Sequence, residues 1–156
     1  MYNQKIEELL YQAENTYLQS PELNIFTDYI DSLSKKVELY ELLREEETNL
    51  FQPIANQLND IFSEEEPKQI ELALKYWISV LRYCSMAMVI DSPAYLSCNI
   101  LDWIRPQIKA YKIQTISNKL FSLLRKKLSK KLSSEQFSLL KPFIQQIETS
   151  ILFIEK

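Results

Sequence analysis

The stretch that decides the fold runs from Lys68 to Arg105 and reads KQIELALKYWISVLRYCSMAMVIDSPAYLSCNILDWIR. Between positions 70 and 90 its polar residues recur every three or four positions, so on a helix they form one narrow stripe. These residues are Glu71, Lys75, Ser79, Arg82 and Ser85. The other faces are apolar, and each large side chain left in water would forfeit roughly 1.5–3 kcal/mol of burial. The stretch therefore predicts a central helix that other helices surround.

Turn signals predict where this helix begins and ends. The sequence SEEEP at 63–67 has the spacing of a capping box followed by proline, which is typical of a helix start. Asp91-Ser92-Pro93 combines a stop with a restart, because Ser92 can cap a new helix and Pro93 suits its first position.

Apolar spacing predicts further helices on both sides of the central one. The pattern favours helices over 3–17 and 23–43, one starting near Pro53, one capped by Ser117 and one capped by Ser133. Two prolines are expected to interrupt or kink helices, Pro106 and Pro142. No segment alternates convincingly with a period of two.

These elements predict an all-α fold in one domain over residues 1–156. A chain of 156 residues can bury a full core without disulfides or a structural metal. Seven or eight helices suit a globin-like arrangement as well as an irregular bundle.

Two residue types that carry much of enzyme chemistry are absent. The chain has no Gly, which excludes Rossmann and P-loop nucleotide sites. It has no His, which excludes Ser-His and Cys-His catalysis, His-ligated zinc and haem held by a proximal His. The remaining titratable residues show no diagnostic pair spacing, so we expect no catalytic residues, no metal ligands and no enzyme activity.

Cysteines and hydropathy indicate the compartment. Cys84 and Cys98 have no framework spacing, and we expect both to be buried free thiols. No apolar run is long and charge-free enough for a membrane span, and the N-terminal MYNQKIEELL does not resemble a signal peptide. We expect a cytoplasmic protein with no membrane contact.

Charge is unevenly distributed along the chain. Residues 1–100 carry 7 Lys and Arg against 17 Asp and Glu, whereas residues 101–156 carry 11 against 4. This asymmetry favours contact between an acidic and a basic face, within the fold or between copies. The basic run at 125–131 has no interleaved aromatic residues, so we expect no nucleic-acid binding.

Segments in a fixed order carry a resemblance to a known family. They are YLQSPEL at 17–23, YELL at 40–43 with IANQL at 54–58, VLRY at 80–83 with MVIDS at 88–92, and LDWIR at 101–105. Over roughly residues 13–106 the chain resembles the phycobilisome protein family, the subunits of phycocyanin and allophycocyanin. The resemblance implies a globin-like core over 46–156, an N-terminal helical hairpin over 1–45, and a linear tetrapyrrole, or bilin, as ligand.

The chain departs from the family at the pigment attachment motif. The family's attachment Cys, and the Arg and Asp two and three positions after it, fall at Ala73, Lys75 and Tyr76. Because the thioether nucleophile is missing, the resemblance implies non-covalent binding. The carboxylate that would face the cationic pyrroles is missing too, and Glu71 is a weak candidate to replace it.

The polar stripe is the candidate bilin site. Two cations beside aromatic walls would suit an elongated, doubly anionic, conjugated molecule. The predicted bilin-binding residues are Lys75, Tyr76, Trp77, Ser79, Arg82 and Tyr83. The alternative is that the stripe is only the wet edge of the helix, with Glu71 and Lys75 a routine i,i+4 pair.

Two functions follow from these observations. The first is a protein that holds a bilin, either biliverdin or a phycobilin and not haem, in connection with bilin synthesis or transfer. The second is a chromophore-free interaction or sensor module. In both, the expected protein partner is another copy or a related subunit. No feature selects bilin reductase or lyase chemistry.

Overall fold

A computed structural model describes residues 2–64 and 67–152. Its α-helices are α1 Tyr2–Ala13, α2 Ser20–Glu45, α3 Glu47–Ile61, α4 Pro67–Ile90, α5 Pro93–Leu96, α6 Asp102–Ala110, α7 Gln114–Lys131 and α8 Ser134–Ile147. Two π-helical turns, Ser97–Leu101 and Glu148–Leu152, precede α6 and follow α8. The described residues include no strand, and the all-α fold class is confirmed.

The central helix is α4, as predicted. It packs against α2, α3, α5, α7 and α8. Ala73, Trp77, Cys84 and Met88 are fully buried on it. Burying such a set of apolar side chains is the main favourable contribution to folding, which explains why the chain wraps around this helix.

The helix caps predicted at Ser92, after α4, and at Ser133, before α8, are confirmed. The Ser92 hydroxyl accepts a hydrogen bond from the Tyr95 backbone N–H at 3.1 Å, and Pro93 opens α5. Asp91 adopts the left-handed region at φ 52°, in a position where many helices use glycine. At α8, Ser133 and Gln136 form a reciprocal capping box. The capping box predicted before Pro67 lies partly outside the described residues.

Several predicted helix boundaries are wrong. α1 ends at Ala13 instead of residue 17, and α7 begins at Gln114, so Ser117 lies inside the helix instead of capping it. α3 begins at Glu47 and continues through Pro53. α6 and α8 likewise continue through the prolines that were expected to interrupt or split them, Pro106 and Pro142.

Burial explains why these helices continue through proline. A proline removes one intrahelical hydrogen bond, but the helix persists where packing on both sides of it is strong. Ile104 and Ile108 flank Pro106 and are both buried, and Ile54 directly after Pro53 has no exposed surface. The low helix propensity of proline alone would predict a break at each of these positions, and tertiary packing overrides it.

The N-terminal hairpin of α1 and α2 differs from the rest of the fold. Ile6 and Leu9 of α1 are buried, and α1 packs on α2. Before Leu39 no residue of α2 is buried, whereas Leu39 and Leu43 join the main core. The end of α2 therefore belongs to core packing, and the predicted division of the chain at residue 45 stays a prediction.

Candidate functional site

Two grooves lie along the polar stripe of α4. The first, here called the lysine groove, is lined by Lys68, Gln69, Glu71, Leu72, Lys75 and Tyr111 and has a volume of about 440 Å³. The second, the arginine groove, is lined by Tyr40, Leu43, Arg44, Glu47, Leu81, Arg82 and Ser85 and has a volume of about 500 Å³. Both volumes lie within the range of small-molecule sites.

The lysine groove carries a net positive charge. Lys75 pairs with Glu71 one turn earlier, with Nζ and Oε1 2.8 Å apart. This contact holds the pKa of the Glu71 carboxyl below its usual range, first through the hydrogen bond from Lys75 and then through its charge. Lys68 adds a second ammonium group on the same side of α4. The groove therefore suits an anionic ligand better than a neutral one.

One aromatic side chain, Tyr111, lines this groove, and Tyr76, which follows Lys75 in the sequence, lies outside its lining. The half-buried Tyr76 ring meets Trp103 of α6 edge to face, with centroids 5.5 Å apart. Burial raises the pKa of the Tyr76 phenol, and the nearby Tyr111 raises it further. Trp103 and Tyr111 are each 51% exposed, although large aromatic residues are usually well covered. A flat conjugated molecule could cover these rings.

The arginine groove is organised around one ion pair. Arg82 donates to both Glu47 oxygens, from Nε and from Nη2, each at 2.7 Å. Such a bidentate fork is the strongest geometry available to an arginine and a carboxylate. Glu47 raises the pKa of Arg82, so this guanidinium stays charged throughout the physiological range.

The structure does not bring the six predicted site residues into one cavity. Lys75 lines the lysine groove and Arg82 lines the arginine groove. The Ser79 hydroxyl donates to the Lys75 carbonyl at 3.1 Å, and Tyr83 packs on Tyr95 of α5 with centroids 5.9 Å apart. Neither residue belongs to the lining of either groove.

Trp77 lies on the buried face of α4. It has no exposed surface and packs against Phe121 of α7, with ring centroids 5.4 Å apart. Its indole N–H has no hydrogen-bond partner among the described residues. Placing Trp77 on the wall of a surface site therefore requires correction. It is one residue from Tyr76, but on a helix one residue is a turn of about 100°.

The structure also shows how deeply the family's pigment attachment position and the two cysteines are buried. Ala73 is fully buried. Cys84 is buried, and burial raises the pKa of its thiol to about 12. Cys98 is exposed, contrary to the expectation that both thiols are buried. It lies in the π-helical turn before α6, where its side chain faces away from the core formed by Ile100 and Leu101.

Sequence reasoning missed the residues that come from other elements. Tyr111 in the lysine groove is the C-terminal cap of α6, and Trp103 reaches Tyr76 from the first turn of α6. At the junction of α2 and α3, Glu47 pairs with Arg82, and Arg44 lines the same groove. Only the packing of α4 against its neighbours brings these residues together, and no local spacing signals it.

The fold and the two grooves define the class of protein. This is an all-α protein in which five helices, α2, α3, α5, α7 and α8, pack around the central helix α4, with a cationic groove that includes Tyr111 beside that helix. A model of the phycobilisome protein family matches residues 9–151. The chain belongs to the phycobilisome protein family and has its globin-like fold. A comparison with curated proteins gives no match.

Family membership associates the chain with bilin pigment proteins. Across residues 2–64 and 67–152, every helix is too short or too polar to cross a bilayer. The same residues contain no cluster of Cys, Asp and Glu that could hold a metal ion.

Proposed function

We propose that this protein binds a linear tetrapyrrole non-covalently in the lysine groove, in connection with bilin synthesis or transfer. The observation that carries the proposal is the combination of Lys75 with the Tyr76–Trp103 pair in a member of the phycobilisome family. Lysine ammonium groups would pair with the carboxylates of the bilin, and the exposed rings would stack on its conjugated pyrroles.

Non-covalent binding is supported at the family's attachment position. Ala73 has no nucleophile and no exposed surface. The buried Cys84 thiol stays protonated at neutral pH, and protonated thiols do not form thioethers readily. The exposed Cys98 is the remaining thiol, so a test must distinguish bound from attached pigment.

Of the predicted site residues, Lys75 and Tyr76 are assigned direct contact. Arg82 could reach a bilin only if the pigment extended into the arginine groove, because Arg82 lines that groove and its Nε and Nη2 are bound to Glu47. Trp77 acts from the core, where it fixes the position of α4 behind the groove. We assign no reaction to the protein.

The test is an absorption titration with biliverdin. We expect the visible band to sharpen and shift to saturation at one bilin per chain. After denaturation in acid, mass spectrometry should recover the unmodified chain, since no bond to bilin forms. An unchanged spectrum would contradict binding, and a chain heavier by one bilin would contradict the non-covalent mode.

A second function, a protein interaction module, is favoured by the hairpin surface. Large apolar side chains on α1 and α2 and their connection are exposed: Leu10, Tyr11, Tyr17, Leu23 and Ile30. Clusters of this kind on a soluble domain mark contact surfaces. The partner would be a second copy or a related subunit. Sedimentation over a range of protein and salt concentrations tests self-association, and Leu10→Glu with Ile30→Glu should abolish it.

A further inference from the structure

The arginine groove holds more positive charge than its own carboxylate neutralises. Glu47 is bound to Arg82 through both oxygens. Arg44, in the last turn of α2, lines the same groove and forms no ion pair within residues 2–64 and 67–152. One guanidinium group is therefore left for an anion from outside.

Two leucine side chains form an apolar floor beneath this groove. Leu43 and Leu81 are buried beneath it. The buried Ser85 hydroxyl is occupied as a donor to the Leu81 carbonyl at 2.8 Å. Tyr40 adds a half-buried ring to the wall. A ligand body placed here would gain apolar contact, while its charged group would meet the cations at the rim.

The contact of Glu47 with Arg82 shows that a carboxylate fits the rim of this groove. Its planar carboxylate matches the fork of the Arg82 guanidinium, and this side chain is itself largely covered, with 22% of it exposed. A second carboxylate could pair with Arg44 and compete with Glu47 for Arg82. Inorganic phosphate would satisfy the charge but would leave the apolar floor uncovered.

We propose that the arginine groove binds a small carboxylate with an apolar body, its charged group between Arg44 and Arg82 and its body over Leu43 and Leu81. This site is separate from the lysine groove and does not depend on the proposed bilin function.

The probe is phthalate, titrated at constant ionic strength against the arginine Nε–H signals in NMR. We expect saturable shifts of the Arg44 and Arg82 signals. Arg44→Gln should weaken phthalate binding at least about tenfold, because a charge-assisted contact is lost. Glu47→Gln should strengthen it, since the side chain keeps its shape but the competing charge disappears. Lys141→Gln, which removes an exposed cation outside both grooves, is the matched control and should leave the affinity unchanged.

Three results would overturn the proposal. These are shifts that rise without saturation, equal phthalate affinity in Arg44→Gln and wild type, or loss of binding in Lys141→Gln. Inorganic phosphate is the comparison ligand, and an affinity equal to that of phthalate would overturn the role of the apolar floor. Circular dichroism of each variant confirms that the helices are retained, so that lost binding reports on the groove.

Discussion

The two long faces of α4 differ in burial and in the contacts that their side chains make. On the buried face, Ala73, Trp77 and Cys84 have no exposed surface and hold the fold together. On the polar edge, Lys75 and Arg82 line grooves and pair with carboxylates. The difference teaches that the residues that stabilise the fold and those of the proposed binding grooves lie about a quarter turn apart, so a single substitution on α4 should affect one and spare the other.

Thiol chemistry should separate the buried face from the surface most strongly. Cys84 has a pKa of about 12, and solvent does not reach it, whereas Cys98 is exposed. A disulfide reagent at pH 8 should label one thiol per native chain and both thiols in denaturant, with Cys84 reacting at least about a thousandfold more slowly. Rapid labelling of both thiols in the native protein would contradict the burial of this face.

Removing the central tryptophan tests the same face thermodynamically. Trp77→Ala should lower the free energy of unfolding by about 3–5 kcal/mol, because it leaves a cavity against Phe121. Trp103→Ala is the matched control, and its half-exposed ring should cost about 1 kcal/mol or less. Urea denaturation followed by circular dichroism measures both. Equal losses would show that the two faces are not distinct.

Beside the polar edge of α4, Trp103→Ala should weaken the binding of biliverdin. Loss of a ring that stacks on the pigment should weaken biliverdin affinity about tenfold. Absorption titration gives the ratio of Kd values, and Tyr17→Ala, at a ring that is 97% exposed outside the groove, is the control. Equal affinity in Trp103→Ala and wild type would remove this ring from the site.

A smaller effect should separate the two grooves. Lys75→Gln should weaken biliverdin binding about threefold to tenfold, because one surface ion pair with a carboxylate is lost. Arg82→Gln should leave it nearly unchanged, since Arg82 is engaged by Glu47. The opposite order would place the pigment in the arginine groove.

The smallest effect concerns the ion pair of Glu71 and Lys75. The pKa of Glu71 is lowered in the folded state, so its contribution to stability is present above the unfolded pKa and is lost as pH falls through the folded pKa. Thermal unfolding of Glu71→Gln and of wild type is compared from pH 7 to pH 3. The difference in stability between the two proteins should shrink towards acid. A difference that grows towards acid would contradict the pairing.

Much of the fold was predictable because burial and capping leave local signals. The stripe on α4, the cap at Ser92 and the capping box at Ser133 were each visible in the sequence. Pro53 and Pro106 were misread because their helices depend on buried neighbours far along the chain. The candidate site was only half predictable. Lys75 and Tyr76 carry a local signal, whereas Tyr111 and Arg44 reach the grooves only through packing.

The most direct test of the account is to map biliverdin contacts by NMR on the indole and guanidinium N–H signals. The account predicts a large shift or broadening of the Trp103 indole N–H on saturation with biliverdin, and little change at Trp77 and Arg82. Perturbation of the Arg82 signal with Trp103 unaffected, or no perturbation of either, would contradict a pigment site in the lysine groove.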